Sequence, residues 1–219
     1  MFGDIHGEII QYLIDKYNFK TYLEIGVACG YNYNNIKCDT KESNDVIDYD
    51  EDIVQIKYDI TYLMPSDEMF AIMPINKKYD LIFIDGMHDE DYADRDIINA
   101  LKHLNKNGLI CVHDTVPQNN FAQVSYECFS KQNNKPWNGT TWKSITKLQN
   151  NNIEFYTIYD ILSGLTIIKY KDNPHHLNIP NHKSNIRYEY VFTNDNNVLT
   201  EQGKYIMHGI TVENFKNIF

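Results

Sequence analysis

The chain carries at positions 22–30 the stretch Tyr22-Leu23-Glu24-Ile25-Gly26-Val27-Ala28-Cys29-Gly30, around which the rest of the fold is arranged. Its apolar start predicts a short buried strand, and its glycines predict a turn that leads into a helix. Glycine has no Cβ, so at Gly26 and Gly30 the backbone can turn sharply and approach a ligand closely. The stretch therefore predicts a ligand-binding turn at the end of the first strand.

The spacing of the two glycines narrows the class of ligand. A dinucleotide-binding turn has the pattern Gly-x-Gly-x-x-Gly, whereas this stretch has the pattern acid-x-Gly-x-x-x-Gly. Glu24 lies near the end of the apolar strand, where a carboxylate is costly unless it has a partner. A nucleoside that carries an amino acid would supply a cationic partner, and we favour it over a pyrophosphate. The alternative is an ordinary strand and turn with two conformational glycines.

Size and charge argue against several classes of protein. The 219 residues are enough for one domain with one core. The formal charge of −10 repels polyanions, which disfavours nucleic acid as a partner. No apolar run approaches the ~20 residues of a membrane helix, and the first residues lack the features of a secretory signal. We therefore expect a cytoplasmic protein with reduced cysteines and no membrane partner.

The first half of the chain alternates helices and strands. Apolar residues at helical spacing predict a helix over residues 5–17 that covers one face of a sheet. Residues 44–48 predict a second strand, and its final Asp48 lies roughly 20 residues past the turn, where doubly wound folds place a ribose-binding acid. A solvated acidic loop is the alternative there. Ser66 or Asp67 is expected to cap the next helix, and both side chains could also face an adenine.

Two strongly apolar strands form the centre of the predicted sheet. Residues 79–85 and 109–112 are continuous apolar runs, typical of strands that are buried on both faces. A helix between them, ended by a turn at 105–108, makes the two strands parallel neighbours. Their polar ends then emerge at one edge of the sheet, about 4.8 Å apart. Two acids and two histidines converge there, which favours a functional site over a structural one: Asp85, His88, His113 and Asp114.

The remaining segments complete the sheet. Residues 117–138 are rich in Asn and Gln and predict a rim over the site. Residues 154–159 and 165–170 predict an antiparallel hairpin, and residues 211–219 a short helix capped by its first residue. The pattern indicates an α/β protein with a doubly wound, mostly parallel sheet.

We find no internal repeat and no linker that would divide the chain. Residues 1–219 are therefore expected to form one domain, with a core at about 20–170 and a C-terminal extension at 171–219.

Alternating strands and helices that end in a hairpin resemble the class I methyltransferase architecture. The resemblance implies a Rossmann-like sheet of seven strands, mostly parallel, with an antiparallel terminal hairpin. The first motif resembles the S-adenosylmethionine motif of catechol-type O-methyltransferases, which implies a methionine-side contact for Glu24, a ribose contact for Asp48 and adenine contacts for Ser66 and Asp67. The cofactor-binding residues so implied are Glu24, Gly26, Val27, Ala28, Gly30, Asp48, Ser66, Asp67 and Asp85.

The second motif, Asp85-Gly86-x-His88 followed by His113-Asp114, is similar to that of the macrocin and mycinamicin sugar O-methyltransferases and of cephalosporin-biosynthesis proteins, a methyltransferase 24-like group. The resemblance implies that Asp85 is a catalytic metal ligand, that His88 is the general base, and that His113 and Asp114 complete the metal site. That family usually has an acid where His113 stands, and imidazole is a poor ligand for Mg²⁺. A softer ion, or no metal, is therefore an open alternative.

The function expected from these residues is S-adenosylmethionine-dependent O-methylation of a small polar acceptor that bears a hydroxyl, most simply a sugar or a sugar-bearing metabolite. One alternative is a nicotinamide-dependent reductase on a similar sheet, which the missing third glycine disfavours. Another is a binding protein that retains the fold without turnover. The sequence leaves open whether the protein is a homo-oligomer.

Overall fold

The computed structural model describes residues 5–47, 60–131, 136–149, 153–169, 184–193 and 199–219. Its strands are β1 (Thr21–Ile25), β2 (Thr40–Asp45), β3 (Tyr62–Leu63), β4 (Tyr79–Ile84), β5 (Leu104–His113), β6 (Glu154–Ile158), β7 (Leu165–Lys169) and β8 (Gly209–Ile210). Its helices are α1 (Ile5–Tyr17), α2 (Tyr31–Asn35), α3 (Ser66–Ile72), α4 (Glu90–Lys102), α5 (Tyr126–Phe129), α6 (Thr141–Leu148), α7 (Tyr188–Val191), α8 (Glu201–Ile206) and α9 (Val212–Ile218). Among these helices none is long and apolar enough to cross a membrane.

The strands of the described ranges form one sheet, in the order β3-β2-β1-β4-β5-β7-β6-β8. Neighbouring strands from β3 to β5 run parallel, and β7 is antiparallel to both β5 and β6. The prediction of an α/β protein with a mostly parallel sheet and an antiparallel hairpin is confirmed. The sheet has eight strands where seven were expected, because β8 adds a short parallel edge to β6.

Helices cover both faces of the sheet. On one face Ile97 of α4 and Trp142 of α6 are buried in a cluster with alternate side chains of β1 and β4. On the other face Leu13 of α1 and Phe215 of α9 pack against the intervening side chains. The predicted helix over residues 5–17 is confirmed, as is the C-terminal helix, whose cap Thr211 accepts a hydrogen bond from the Asn214 amide.

The chain reverses its direction of winding between β1 and β4, which are neighbours in space but not in sequence. In open α/β sheets a crevice forms at such a switch point, beyond the carboxyl ends of the strands. The carboxyl ends of β1, β4 and β5 lie side by side, in the register Ile25 to Ile84 to Val112. The residues that follow these three strands therefore form the wall of the crevice.

The position of β2 differs from the sequence prediction. The strand occupies Thr40–Asp45, earlier than the predicted strand at 44–48. Polar contacts hold it in place, since the Asn44 side chain donates hydrogen bonds to the carbonyls of Tyr62 (2.9 Å) and Met64 (2.6 Å). A strand fixed by such contacts lacks the apolar run on which the prediction depended.

The segment between α4 and β5 also differs from the prediction. Residues 105–108 were expected to form a turn that ends the helix, but they lie within β5. Asn107 has a left-handed backbone with φ of 65°, and the register between β4 and β5 shifts after Tyr79. The turn residues therefore mark an irregularity inside the strand.

Candidate functional site

The turn after β1 is packed directly against the end of β4. Gly26 has φ of 80°, and a Cβ at this position would lie 2.1 Å from the carbonyl oxygen of Asp85. Its amide donates to the carbonyl of Asn44 at 2.9 Å, as does the amide of Val27 at 3.3 Å. Only glycine fits this conformation and this distance, because any side chain would strain the backbone and meet Asp85.

Two further residues of the turn have left-handed backbones, Ala28 with φ of 47° and Gly30 with φ of 73°. The cost of this conformation at Ala28 is offset by a hydrogen bond from its amide to Oδ2 of Asp45, 2.7 Å away. Asp45 also accepts from the amide of Val46 at 2.7 Å. The acid that ends β2 is therefore a structural part of the turn, which the sequence prediction did not include.

Glu24 is buried in β1 and obtains two partners from the protein itself. Oε2 of Glu24 accepts hydrogen bonds from the Tyr22 hydroxyl (2.5 Å) and from Nδ2 of Asn32 (2.9 Å). Burial, together with the charge of Glu24, raises the pKa of Tyr22 well above its usual value, so the phenol remains a donor. Oδ1 of Asn32 is buried and has no partner within the described ranges. A polar acceptor thus lies beside the carboxylate, at the start of α2.

The predictions for the ribose-binding and adenine-binding residues can be compared with the structure in part. Asp48 lies outside the described residues. The prediction that Ser66 or Asp67 caps α3 is wrong, because Ser66 begins the helix and the cap is Pro65, without a side-chain hydrogen bond. Asp67 instead contacts Nε of Arg95 at 2.8 Å.

Asp96, on α4, is a buried acid that the sequence analysis did not single out. Its pKa is raised to about 7, chiefly because burial disfavours the charged carboxylate, although a hydrogen bond from Ser66 opposes the shift. Oδ1 of Asp96 has no partner among the described residues. Oδ2 lies 3.5 Å from the position that a Cβ of Gly86 would take. This acid therefore lies behind the turn that follows β4.

The four titratable residues beyond β4 and β5 converge, as the strand order predicts. Nδ1 of His113 lies 2.9 Å from Oδ1 of Asp85, and Nδ1 of His88 lies 2.8 Å from Oδ2 of Asp114. Two longer contacts close the cluster: Nε2 of His88 lies 3.5 Å from Oδ1 of Asp85, and Nδ1 of His113 lies 3.7 Å from Oδ2 of Asp114. Each histidine thus contacts both carboxylates.

Charge within the cluster sets the protonation of its members. Burial lowers the pKa of His88, but Asp114 and Asp85 outweigh burial and raise it to about 10. Asp85 and Asp114 raise the pKa of His113 in the same way, to about 9. Burial would raise the pKa of Asp85, but the two histidines hold it well below its usual value. The four groups therefore form a partly buried network of ion pairs.

Three of these residues offer a set of donors that could hold a metal ion. One ligand atom each from Asp85, His113 and Asp114 lies within 4.8 Å of the other two. Two carboxylate oxygens and one imidazole nitrogen suit borderline divalent ions such as Mn²⁺, Fe²⁺, Co²⁺ and Zn²⁺. The donor set therefore fits a divalent cation, and its chemistry favours an ion softer than Mg²⁺.

Two neighbouring residues of the predicted rim support this cluster, and the sequence analysis missed both. The Trp137 ring stacks on the His88 ring, with centroids 4.9 Å apart and planes at 21°. The side-chain amide of Asn138 donates a hydrogen bond to Oδ1 of Asp114 at 2.5 Å. The segment around them has no periodic pattern, so the sequence carried no signal for either contact.

Comparison with known proteins places the fold. Residues 23–115 match the family model of a methyltransferase domain. Similar solved structures include an O-methyltransferase from Bacillus cereus in complex with S-adenosylhomocysteine, at 16% identity with a TM-score of 0.56, covering 78% of this chain and 83% of that one. The protein has the class I methyltransferase fold. No protein in a search of curated sequences matches it.

Two further solved structures with this methyltransferase fold are similar. One is a methyltransferase from Podospora anserina bound to S-adenosylhomocysteine, at 15% identity with a TM-score of 0.54, covering 78% of this chain and 80% of that one. The other is an O-methyltransferase from Streptomyces achromogenes in complex with S-adenosylmethionine, at 12% identity with a TM-score of 0.51, covering 78% of this chain and 82% of that one. The matched segment 23–115 contains both the turn after β1 and the cluster beyond β4 and β5.

Proposed function

We propose that this methyltransferase domain uses S-adenosylmethionine to methylate a hydroxyl of a small polar acceptor, a sugar or a sugar-bearing metabolite. The observation that carries the proposal is the direct contact between the two halves of the candidate site. The amide of Asp85 donates a hydrogen bond to the carbonyl of Ile25 at 2.9 Å, and Gly26 packs against the Asp85 backbone. A ligand in the turn after β1 would therefore reach the acids and histidines.

The residues of the turn fit a ligand with an amino acid moiety. The Glu24 carboxylate and Oδ1 of Asn32, which has no partner among the described residues, are both acceptors, and together they suit an ammonium group. When bound, S-adenosylmethionine supplies a methyl group on a positively charged sulfur. The residues proposed to hold it are Glu24, Gly26, Val27, Ala28, Gly30, Asp48, Ser66, Asp67 and Asp85.

A divalent cation fits the donor set of Asp85, His113 and Asp114. When bound, such an ion supplies a Lewis acid that lowers the pKa of an acceptor hydroxyl. A cation held by the two carboxylates would also weaken their hold on the His88 proton, because hydrogen bonds and negative charge from Asp114 and Asp85 are what raise the His88 pKa. Without that compensation, a pKa of about 10 would leave His88 charged at neutral pH.

His88 is proposed as the general base. Its side chain is 21% exposed and stands between the carboxylates of Asp85 and Asp114, so an acceptor that enters the crevice can reach it. During transfer of the methyl group to the acceptor oxygen, His88 would take up the hydroxyl proton, and the electron pair of the broken sulfur–methyl bond would stay with the departing thioether. Alignment of the two reactants would provide most of the rate.

An aromatic group beside His88 supports a ring-shaped acceptor. Trp137 stacks on Phe129, with centroids 4.9 Å apart, and contacts Tyr126 at 5.6 Å. Tyr126 is 50% exposed, so part of this group faces solvent. Aromatic side chains pack well against apolar faces and can also present a polar tip. A sugar ring has an apolar face of C–H groups and a rim of hydroxyls, which suits such a surface.

Mass spectrometry of the purified protein under native conditions tests the cofactor. We expect retained S-adenosylmethionine or S-adenosylhomocysteine. A retained nicotinamide would favour the reductase instead. Labelled S-adenosylmethionine should then be offered with glycosides, free sugars and catechols in parallel. Label in a glycoside or sugar supports the acceptor class, label in a catechol alone would limit the proposal to O-methylation, and failure to bind S-adenosylmethionine would refute it.

A further inference from the structure

Asn138 is a buried polar residue that contacts three parts of the chain. It is 2% exposed. Its Nδ2 donates hydrogen bonds to Oδ1 of Asp114 (2.5 Å) and to Oγ of Ser163 (2.8 Å). Its Oδ1 accepts a hydrogen bond from the amide of Gln118 at 2.9 Å. All three partners lie at or beyond the carboxyl end of β5 or just before β7, so Asn138 fills the space behind the cluster.

The two carboxylate oxygens of Asp114 have different partners. Oδ1 of Asp114 is bound to Asn138, whereas Oδ2 lies 2.8 Å from Nδ1 of His88. The backbone of Asp114 is left-handed, with φ of 56°, which a residue with a Cβ rarely adopts. A residue in such a conformation persists only when its surroundings hold it, and Asn138 is its side-chain partner on the buried side.

Asn138 also belongs to the segment that carries the aromatic group. Trp137, the preceding residue, stacks on His88, and the backbone amide of Asn138 donates a hydrogen bond to the carbonyl of Ala122 at 2.9 Å. Two positions further on, the amide of Thr140 donates to the carbonyl of His88 at 2.7 Å. Residues 137–140 therefore contact both the turn that contains His88 and the side chain of Asp114.

We propose that Asn138 is the positioning residue of the cluster: it orients the Asp114 carboxylate so that Oδ2 faces His88 and the cation-binding position. The part that concerns a cation rests on the proposed function. The part that concerns His88 stands on the contacts of Asn138, Asp114 and His88 alone. If Asn138 had a purely structural role and only connected the rim to Ser163 and Gln118, its substitution would lower the stability of the protein. Neither the affinity for a cation nor the environment of the His88 ring would then change.

Calorimetric titration with Mn²⁺ tests the first part. Asn138→Ala removes the donor, and Asn138→Leu removes it while keeping the branched shape of the side chain. Residues that orient a metal ligand typically contribute 10–100-fold to affinity, so we expect Mn²⁺ binding to weaken by about that factor in both variants. The Kd for S-adenosylhomocysteine should stay within about twofold, because the side-chain hydrogen bonds of Asn138 go to Asp114, Ser163 and Gln118, none of which belongs to the turn after β1.

The matched control is Asn119→Ala. Oδ1 of Asn119 accepts hydrogen bonds from the amides of Phe121 and Ala122, both at 2.9 Å, so this variant loosens the same rim without touching Asp114. Its Mn²⁺ affinity should remain within about twofold of the wild type. Thermal unfolding of all variants shows whether each is folded.

NMR signals of the His88 ring, recorded without metal, test the second part. We expect them to shift in both Asn138 variants and to remain in place in Asn119→Ala. If the wild type binds no Mn²⁺, the cation site of the proposed function is refuted, and the His88 signals still decide the role of Asn138. Unchanged His88 signals together with unchanged Mn²⁺ affinity in folded Asn138 variants would overturn the inference.

Discussion

The turn after β1 and the cluster beyond β4 and β5 lie at the same edge of the sheet but are built in different ways. The turn depends on backbone: left-handed residues at three positions and a contact between Gly26 and Asp85 that leaves no room for a Cβ. The cluster depends on side chains: two carboxylates, two imidazoles, and behind them Asn138. Substitutions in the turn should therefore affect folding and cofactor binding, whereas substitutions in the cluster should affect turnover.

The largest expected effect is on turnover. His88→Ala should lower kcat by ~10²–10⁴, the usual contribution of a general base, while the protein remains folded. Steady-state kinetics with an acceptor identified by the labelling screen would measure it. His103→Ala is the matched control, because His103 is a buried histidine whose ring contacts the carbonyl of Lys77, far from the cluster. Near-normal turnover in His88→Ala would make His113 the next candidate.

The second prediction concerns the backbone of the turn. Gly26→Ala places a Cβ 2.1 Å from the Asp85 carbonyl oxygen and forces a residue with a side chain into φ of 80°. The free energy of unfolding should fall by about 3 kcal/mol or more, since strain and overpacking add. Gly86→Ala is the control, because its Cβ would meet its nearest neighbours at an ordinary 3.5 Å. Equal stability of the two variants in urea would contradict the packing described for the turn.

The third prediction concerns Asp96, the buried acid behind the turn that follows β4. Its pKa is raised from 3.8 to about 7, so between these values the folded protein holds a proton that the unfolded chain has lost. Stability should therefore fall as the pH rises through this window, by roughly 2–3 kcal/mol from about pH 5 to about pH 8.

The variant Asp96→Asn cannot ionise and should lack this part of the pH dependence. Urea unfolding of both proteins at the two pH values measures the difference. Asp91→Asn, which changes an exposed acid of the same helix, should follow the wild type. Parallel pH profiles for the wild type and Asp96→Asn would show that Asp96 does not titrate in the folded protein as described.

The smallest effect is expected at the ion pair between Arg95 and Asp67. Both side chains are 43% exposed, and exposed pairs contribute little because solvent screens them. Arg95→Met should lower the free energy of unfolding by less than about 1 kcal/mol. If Asp67 contacts the cofactor as proposed, the same variant should still change S-adenosylmethionine affinity, since Asp67 loses its partner. A change in stability without any change in affinity would limit Asp67 to a structural role.

The sequence predicted the parts of the molecule that depend on apolar periodicity and on strand order. The strand before Asp85, the turn at Gly26 and the convergence of His88 with Asp114 all follow from such patterns. It failed where polar contacts decide the structure. β2 begins at Thr40 because side-chain amides and hydroxyls hold it, and an apolar pattern cannot show that.

The sequence also could not predict contacts between positions that are far apart in the chain and follow no periodic pattern. Asn138 reaches Asp114 across 24 positions, and nothing in the composition of the rim indicates that pairing. Asp96 is an acid on the buried face of α4, where the helical pattern favours an apolar residue. Both residues are exceptions to local rules, and such exceptions tend to occur at functional sites.

The central claim is that the turn binds the cofactor and the cluster acts on the acceptor. Calorimetry with S-adenosylmethionine on the wild type, Glu24→Gln, His88→Ala and the control Glu42→Gln tests it most directly. The Glu42 carboxylate accepts hydrogen bonds from Lys77, Tyr79 and Tyr62, none of which belongs to the turn.

We expect binding to weaken by about tenfold in Glu24→Gln, which removes a charge-assisted contact of about 1.5 kcal/mol, and to change by less than about twofold in the other two variants. Equal weakening in Glu24→Gln and His88→Ala, or no binding by the wild type, would contradict the account.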